Sequence, residues 1–203
     1  MSDAVPLILA SGSAIRAHML AKAGVDFVIV PAAIDEAAVK AKILQNATQI
    51  PLAGLATALA ENKALNVSLR SLSALVIGSD QILAIDDNVL TKATSRDEAK
   101  QALLSLRGQT HQLHSGVVLA WDGEVVWRHV ETAKLTMRTF SDAWLENYLD
   151  RAGDALTNAV GCYHLEGIGL QLFETVEGDY FTILGMPLLP LLGELRRREV
   201  IPS

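Results

Sequence analysis

The irregular order of strand-like and helix-like segments does most to restrict what this chain can fold into. Val5 to Ala10 and Ala74 to Ile77 are short, unbroken apolar runs, the pattern of strands covered on both faces. Residues 110–121 and 124–139 read as two much longer strands joined at Asp122-Gly123. Phe27 to Val30 reads as a short strand, and Ile82 to Ile85, the turn Asp86-Asp87-Asn88 and Val89 to Thr91 as a hairpin. Helical patterns are scattered among these. Ile15, Met19, Leu20 and Ala23 mark one face of a helix that Ser13 can cap and Gly24 can end. Glu36 to Arg70 is mostly helical, with Pro51 opening a second segment. Ser95 and Glu98 form a capping-box signature before the face made by Ala99, Ala102, Leu103 and Leu106. Ser141 to Leu149 and a last segment opened by Pro187 complete the helices, and the Gly-rich residues 158–185 look strand-like. With no strict βαβ alternation, the predicted class is α/β around a mixed sheet.

A chain of 203 residues suits one domain, or one domain built as two closely packed lobes. Half of the residues are apolar, and a mean hydropathy of +0.28 leaves ample material for a core. No apolar run approaches the ~20 residues needed to span a bilayer. The opening MSDAVPLILASGSA carries an acid where a secretory leader would be basic, so it reads as a first strand. The lone Cys162 can form no internal disulfide and has only His164 near it as a partner for a metal, so a packed core thiol in a reducing cytoplasm is expected. A formal charge of −6 gives the chain no general attraction for nucleic-acid polymers or anionic membranes. If such a chain handles phosphates, positive charge must be concentrated locally or supplied by a metal.

Five places have the right chemistry for that. Ser11-Gly12-Ser13 follows a buried strand and runs into a helix with Arg16 in its first turn. Free helix N–H groups, two hydroxyls and a fixed cation can hold a phosphate; the alternative is a plain cap with a surface arginine. Asp80 ends the strand that begins at Ala74 and can bind Mg²⁺ or orient a water; the alternative is an Asx-turn residue. Asp35-Glu36 can reach a metal or simply charge a helix N-terminus, and Lys63 and Lys92 can meet phosphates or merely be solvated. His111 and His114 are three apart in a strand-like segment, which puts them on opposite faces and disfavours a zinc pair.

The order of these pieces resembles the Maf family of nucleotide pyrophosphatases along nearly the whole chain. Leu7-Ile8-Leu9-Ala10-Ser11-Gly12-Ser13-Ala14-Ile15-Arg16 is similar to the family's L-I-L-A-S-x-S-P-x-R start, and Ile34-Asp35-Glu36 to the D-E after its second strand. Leu59-Ala60-Glu61-Asn62-Lys63-Ala64, Ile77-Gly78-Ser79-Asp80-Gln81 and Lys92 match its lysine helix, aspartate loop and K-P lysine. Leu106-Arg107-Gly108-Gln109-Thr110-His111, Tyr163 to Gly169 and Leu184-Gly185-Met186-Pro187-Leu188 match later motifs. Two departures stand out: Ala14 replaces the proline, leaving Ile15 where a second arginine is common, and Ala93 replaces the proline after the lysine.

The resemblance implies a Maf/ITPase-like fold, an elongated twisted sheet flanked by helices with a deep central cleft for a nucleotide. It implies hydrolysis of a nucleoside triphosphate to monophosphate and pyrophosphate. Asp80 would be the catalytic acid/base and, with Glu36, would hold Mg²⁺ or Mn²⁺. Ser11, Arg16, Lys63 and Lys92 would contact phosphates. Members of the dTTP/UTP group usually carry Arg, Thr and Gln at the positions of Ile15, Gln81 and Glu166, and members of the 7-methyl-GTP group an aromatic residue, Gln and Glu. This chain follows the second group at Gln81 and Glu166 but not at Ile15, so a guanine-type or modified base is expected. The alternatives are dTTP/UTP hydrolysis and a non-catalytic nucleotide-binding regulator of cell division. Relatives are often dimers, which implies a homodimer, with Trp144 or the last helix as the contact.

Overall fold

The computed structural model describes residues 5–46, 51–86 and 88–202. The expected strand start at MSDA, the residues 47–50 of the long helical reading and the turn residue Asp87 fall outside the described residues. Apolar Leu7–Leu9 forms β1, fully buried as its unbroken run requires. The chain then turns through Ser11-Gly12-Ser13 into α1, Ala14–Lys22, with Ser13 as the N-cap accepting from the Arg16 backbone N–H. Gly24, at φ +72°, ends the helix in the left-handed conformation. β2 (Val28–Ile29), α2 (Glu36–Asn46) and α3 (Leu52–Ser68, behind Pro51) follow.

β3 (Leu75–Ile85) corrects the expected strand-then-loop reading of residues 74–81, because it runs without a break through Gly78-Ser79-Asp80-Gln81. The glycine that looked like punctuation marks a close approach: a Cβ on Gly78 would lie 2.1 Å from the Ala60 carbonyl oxygen. β4 (Asn88–Leu90) pairs antiparallel with β3, and α4 (Arg96–Leu106) is capped by Ser95. The Glu98 carboxylate reaches one residue beyond the usual capping-box partner, to the Thr94 backbone N–H at 2.7 Å.

β5 (Thr110–Trp121) and β6 (Glu124–Met137) are the two long strands. They are joined at Asp122 and Gly123, which both have positive φ (48° and 80°), the signature of a type I′ turn. The turn is tied down, since Asp122 accepts from the Ser73 backbone N–H at 2.7 Å and Gly123 donates to the Ser68 hydroxyl at 3.0 Å. α5 (Asp142–Arg151) buries Leu145 and Tyr148. Residues 158–185 correct a second expectation. The only strand within them is β7 (Phe173–Glu177), alongside the end of α6 (Ala155–Asn158), a 3₁₀ turn (Ile168–Leu172) and α7 (Tyr180–Ile183). Gly161, Gly178 and Gly185 sit at φ +88°, +130° and +104°, so the stretch turns repeatedly where a strand would need extended backbone. α8 (Leu188–Arg197) closes the described chain.

The seven strands form one mixed sheet in the order β2-β1-β3-β5-β6-β7, with β4 beside β3. β1 is parallel to both β2 and β3, whereas β6–β7 and β3–β4 are antiparallel. The mixed α/β class is as expected. By internal contacts the chain divides into two compact units, Met1–Gln81 with Ser115–Glu131 and Asp179–Ser203, and Ile82–His114 with Thr132–Gly178.

In the first unit Leu7, Leu9, Ile77, Val117 and Leu119 face α1 and α8 through Met19, Leu20, Leu188, Leu191 and Leu195. The alternate residues Ile8, Ala10 and Val76 meet Val67 of α3, and Val118 and Ala120 meet Ala60 and Ala64. In the second unit the Tyr148 hydroxyl donates to the buried Cys162 carbonyl at 2.9 Å. Cys162 is the core thiol expected, and burial raises its pKa to about 11.

Candidate active site

Arg16 shows why the Ser/Gly turn takes its shape. The first turn of α1 points this side chain inward, and only 9% of the residue is exposed. Its Nε donates to the Gly185 carbonyl at 2.9 Å. Nη1 donates to the Ser79 carbonyl at 2.9 Å and lies 3.2 Å from the Ser11 hydroxyl oxygen. Ser11 Oγ also accepts from the Ser13 backbone N–H at 3.3 Å. Burial lowers the Arg16 pKa, with the fields of Asp80 and Glu36 opposing it; a guanidinium keeps its charge through such a shift. The plain surface arginine is therefore ruled out. This cation is a buried tie among the Ser/Gly turn, β3 and Gly185, two residues past α7.

Lys63 gathers the acids. It lies on the sheet-facing side of α3 and is 6% exposed. Its Nζ stands 2.6 Å from Asp80 Oδ1 and 2.8 Å from Glu36 Oε1. Asp80 is buried in the middle of β3, whereas the Glu36 side chain at the start of α2 is 60% exposed. A lysine this buried needs such partners, since an unpaired buried charge is costly.

Gln81 is half-buried and its amide nitrogen is already engaged. It is 2.9 Å from the Ser115 hydroxyl and 3.0 Å from each of the Thr182 and Ile183 carbonyls. Ile15 is half-buried next to Arg16. Lys92 and Glu166 belong to the second unit and are both exposed; Lys92 lies beside Asp97 and Glu98 in a groove along α4. The structure thus gathers Ser11, Arg16, Glu36, Lys63, Asp80 and Gln81 within the first unit.

Three contributors carry no role in the sequence reading. The Ser79 hydroxyl sits 2.9 Å from the Gly116 carbonyl and 3.0 Å from that of Gly185. Ser115 donates to the Thr182 carbonyl at 2.7 Å. The sequence signals for Gly185 were its place in the Leu184-to-Leu188 motif and before Met186-Pro187, which mark a turn without revealing its partner.

Among the described residues no three His, Cys, Asp or Glu side chains cluster as a metal cage. His111 and His114 are apart, as expected, bonded to Tyr163 and Thr132. The Asp80–Glu36 pair nonetheless suits a hard divalent ion. Mg²⁺ is commonly held by one or two carboxylates, with waters and substrate phosphates completing its shell.

A mixed α/β sheet with two carboxylates and two buried cations gathered at its third strand defines a narrow class of protein. The chain belongs to the Maf family: the family model described as Maf-like protein matches residues 6–198. It is 52% identical over 191 residues to a nucleoside triphosphate pyrophosphatase of Caulobacter vibrioides, covering 94% of each chain. It is also 46% identical over 198 residues to a 7-methyl-GTP pyrophosphatase of Brucella abortus, covering 97% of this chain and 98% of that one. A 7-methyl-GTP pyrophosphatase of Mesorhizobium japonicum is 49% identical over 190 residues, 94% of each chain.

Proposed function

We propose that this protein hydrolyses a nucleoside triphosphate to its monophosphate and pyrophosphate in a metal-dependent reaction, clearing a guanine-type or modified nucleotide from the cytoplasmic pool. The observation that carries the reading is the convergence of Asp80 and Glu36 on Lys63, at 2.6 and 2.8 Å, beside the buried Arg16. Relatives named for this activity align with nearly the whole chain, which supports it.

In this mechanism Asp80 orients a water and takes its proton as the oxygen attacks beside the α–β bridge. The bridging P–O bond breaks and pyrophosphate departs. Lys63 faces the phosphates and offsets the charge that develops on the leaving group, while the Ser/Gly turn offers Ser11 and the α1 N-terminus. Arg16 acts mainly by holding that turn against Ser79. Glu36 and Asp80 would hold Mg²⁺ or Mn²⁺, which supplies Lewis-acid stabilisation of the phosphate oxygens.

For the base, Gln81 offers its carbonyl oxygen, because its amide nitrogen is spent on Ser115 and the end of α7. An acceptor there suits a guanine N–H edge. Ile15 supplies no aromatic surface for stacking.

The test is kcat/KM for 7-methyl-GTP, GTP, dTTP and UTP with Mg²⁺ or Mn²⁺, run beside Asp80→Asn. Pyrophosphate release with a guanine-type preference, cut about 10²–10⁴-fold in D80N, is expected. Preference for dTTP or UTP would overturn the base assignment. No release from any nucleotide would leave a binding-only regulator.

A further inference from the structure

The same lysine that Maf-type chemistry would place against phosphate is, in this structure, paired with the two acids. Lys63 Nζ is within salt-bridge distance of both Asp80 and Glu36, and it is almost completely buried. The buried Arg16 adds a second positive charge nearby, within the field of both acids. Two carboxylates are therefore offset by two nearby positive charges before any ligand arrives. A divalent ion would have to bind carboxylates that each already give one oxygen to Lys63, and would enter beside a like charge.

We infer that Lys63 is a built-in counter-cation that keeps the Asp80–Glu36 pair closed to divalent metal until a triphosphate draws its ammonium away. The inference rests on the reading of these acids as the metal-holding pair. The polyphosphate brings several negative charges, so Lys63 exchanges its carboxylate partners for phosphate oxygens and frees the acids at the same moment. Metal and nucleotide then enter as one charge-balanced unit, and metal alone binds poorly. A long, flexible side chain suits this exchange, because an ammonium on a four-carbon stem can change partners without moving the helix that carries it.

The test titrates Mn²⁺ into nucleotide-free protein, followed by calorimetry and by the Mn²⁺ electron spin resonance signal. Wild type and Lys63→Arg, which keeps the charge, should bind weakly. Lys63→Met and Lys63→Gln should each bind about tenfold tighter or more, and Glu36→Gln added to either should abolish the gain. Mn²⁺ should also raise the Tm of K63Q more than that of wild type. K63Q keeps a hydrogen-bond donor for Asp80, so it serves if K63M does not fold. Equal Mn²⁺ affinity in wild type and K63Q would overturn the inference, as would tight binding by wild type alone. No turnover is read in this titration. A wild-type protein that released no pyrophosphate would sink the proposed activity and still leave the counter-cation result legible.

Discussion

At the scale of single residues the most consequential side chain is Arg16, because three separate segments share it. Its guanidinium meets the Ser79 and Gly185 carbonyls and the Ser11 hydroxyl. Arg16→Ala should cost about 2–4 kcal/mol in equilibrium urea unfolding, because the Ser79 and Gly185 carbonyls each lose a charged donor and Gly185 is left with the Ser79 hydroxyl. Arg16→Lys should recover little, since one ammonium cannot reproduce the planar fork. The identity of this residue was legible in the sequence: a lone cation one turn into a helix after a Ser/Gly turn. Its burial was not. Nothing in Ser79 or Gly185 announces that their carbonyls point at a group 63 or 169 residues away. The pairing of Lys63 with Asp80 was equally hidden, since each residue taken alone reads as an ordinary surface lysine or a turn aspartate.

Among the elements, the decisive relation is the close approach of α3 to the sheet. A Cβ on Gly78 would lie 2.1 Å from the Ala60 carbonyl oxygen and 2.7 Å from the Ala64 backbone nitrogen. A Cβ on Gly116 would lie 2.9 Å from the Ala56 carbonyl. Two missing side chains on the sheet and a run of alanines on the helix set the distance across which Lys63 reaches Asp80. Gly78→Ala should destabilise by about 3 kcal/mol in urea unfolding and lower turnover as well, because the helix must retreat. The control is Gly193→Ala in α8, where an added Cβ meets nothing within 4 Å. That change should stabilise by about 0.5–1 kcal/mol, through helix propensity alone. The helices were readable from spacing and caps, as Ser13, Ser95 and Ser141 each accept from the backbone N–H three residues on. β3 was cut short in the reading because a glycine beside a serine is also a turn signal. Residues 158–185 were misread for the opposite reason: Leu and Ile between turn glycines mimic strands, although they anchor short helical turns.

Across the whole molecule the Maf-like order of motifs was legible, and the sheet order was not, because strand neighbours are chosen by packing between distant segments. Acid stability is likewise a property of the entire fold. His111 is fully buried on β5, and burial lowers its pKa from 6.5 to about 4. The unfolded chain takes up the proton more readily, so stability is undiminished above about pH 6.5 and declines as the pH falls towards 4. Below that the folded ring is charged too and the loss stops growing, at roughly 3 kcal/mol. Burial pushes His114 in the same direction. Urea unfolding at pH 7 and pH 4.5 should show the decline, and His111→Phe should flatten it. Finally, the Gly185 carbonyl receives Arg16 Nε and lies within reach of the Ser79 hydroxyl. A polypeptide emerging from the ribosome therefore carries every proposed reactive side chain well before the acceptor that seats its arginine has been synthesised. The ribosome must pass Gly185 before the Ser/Gly turn can lock around Arg16.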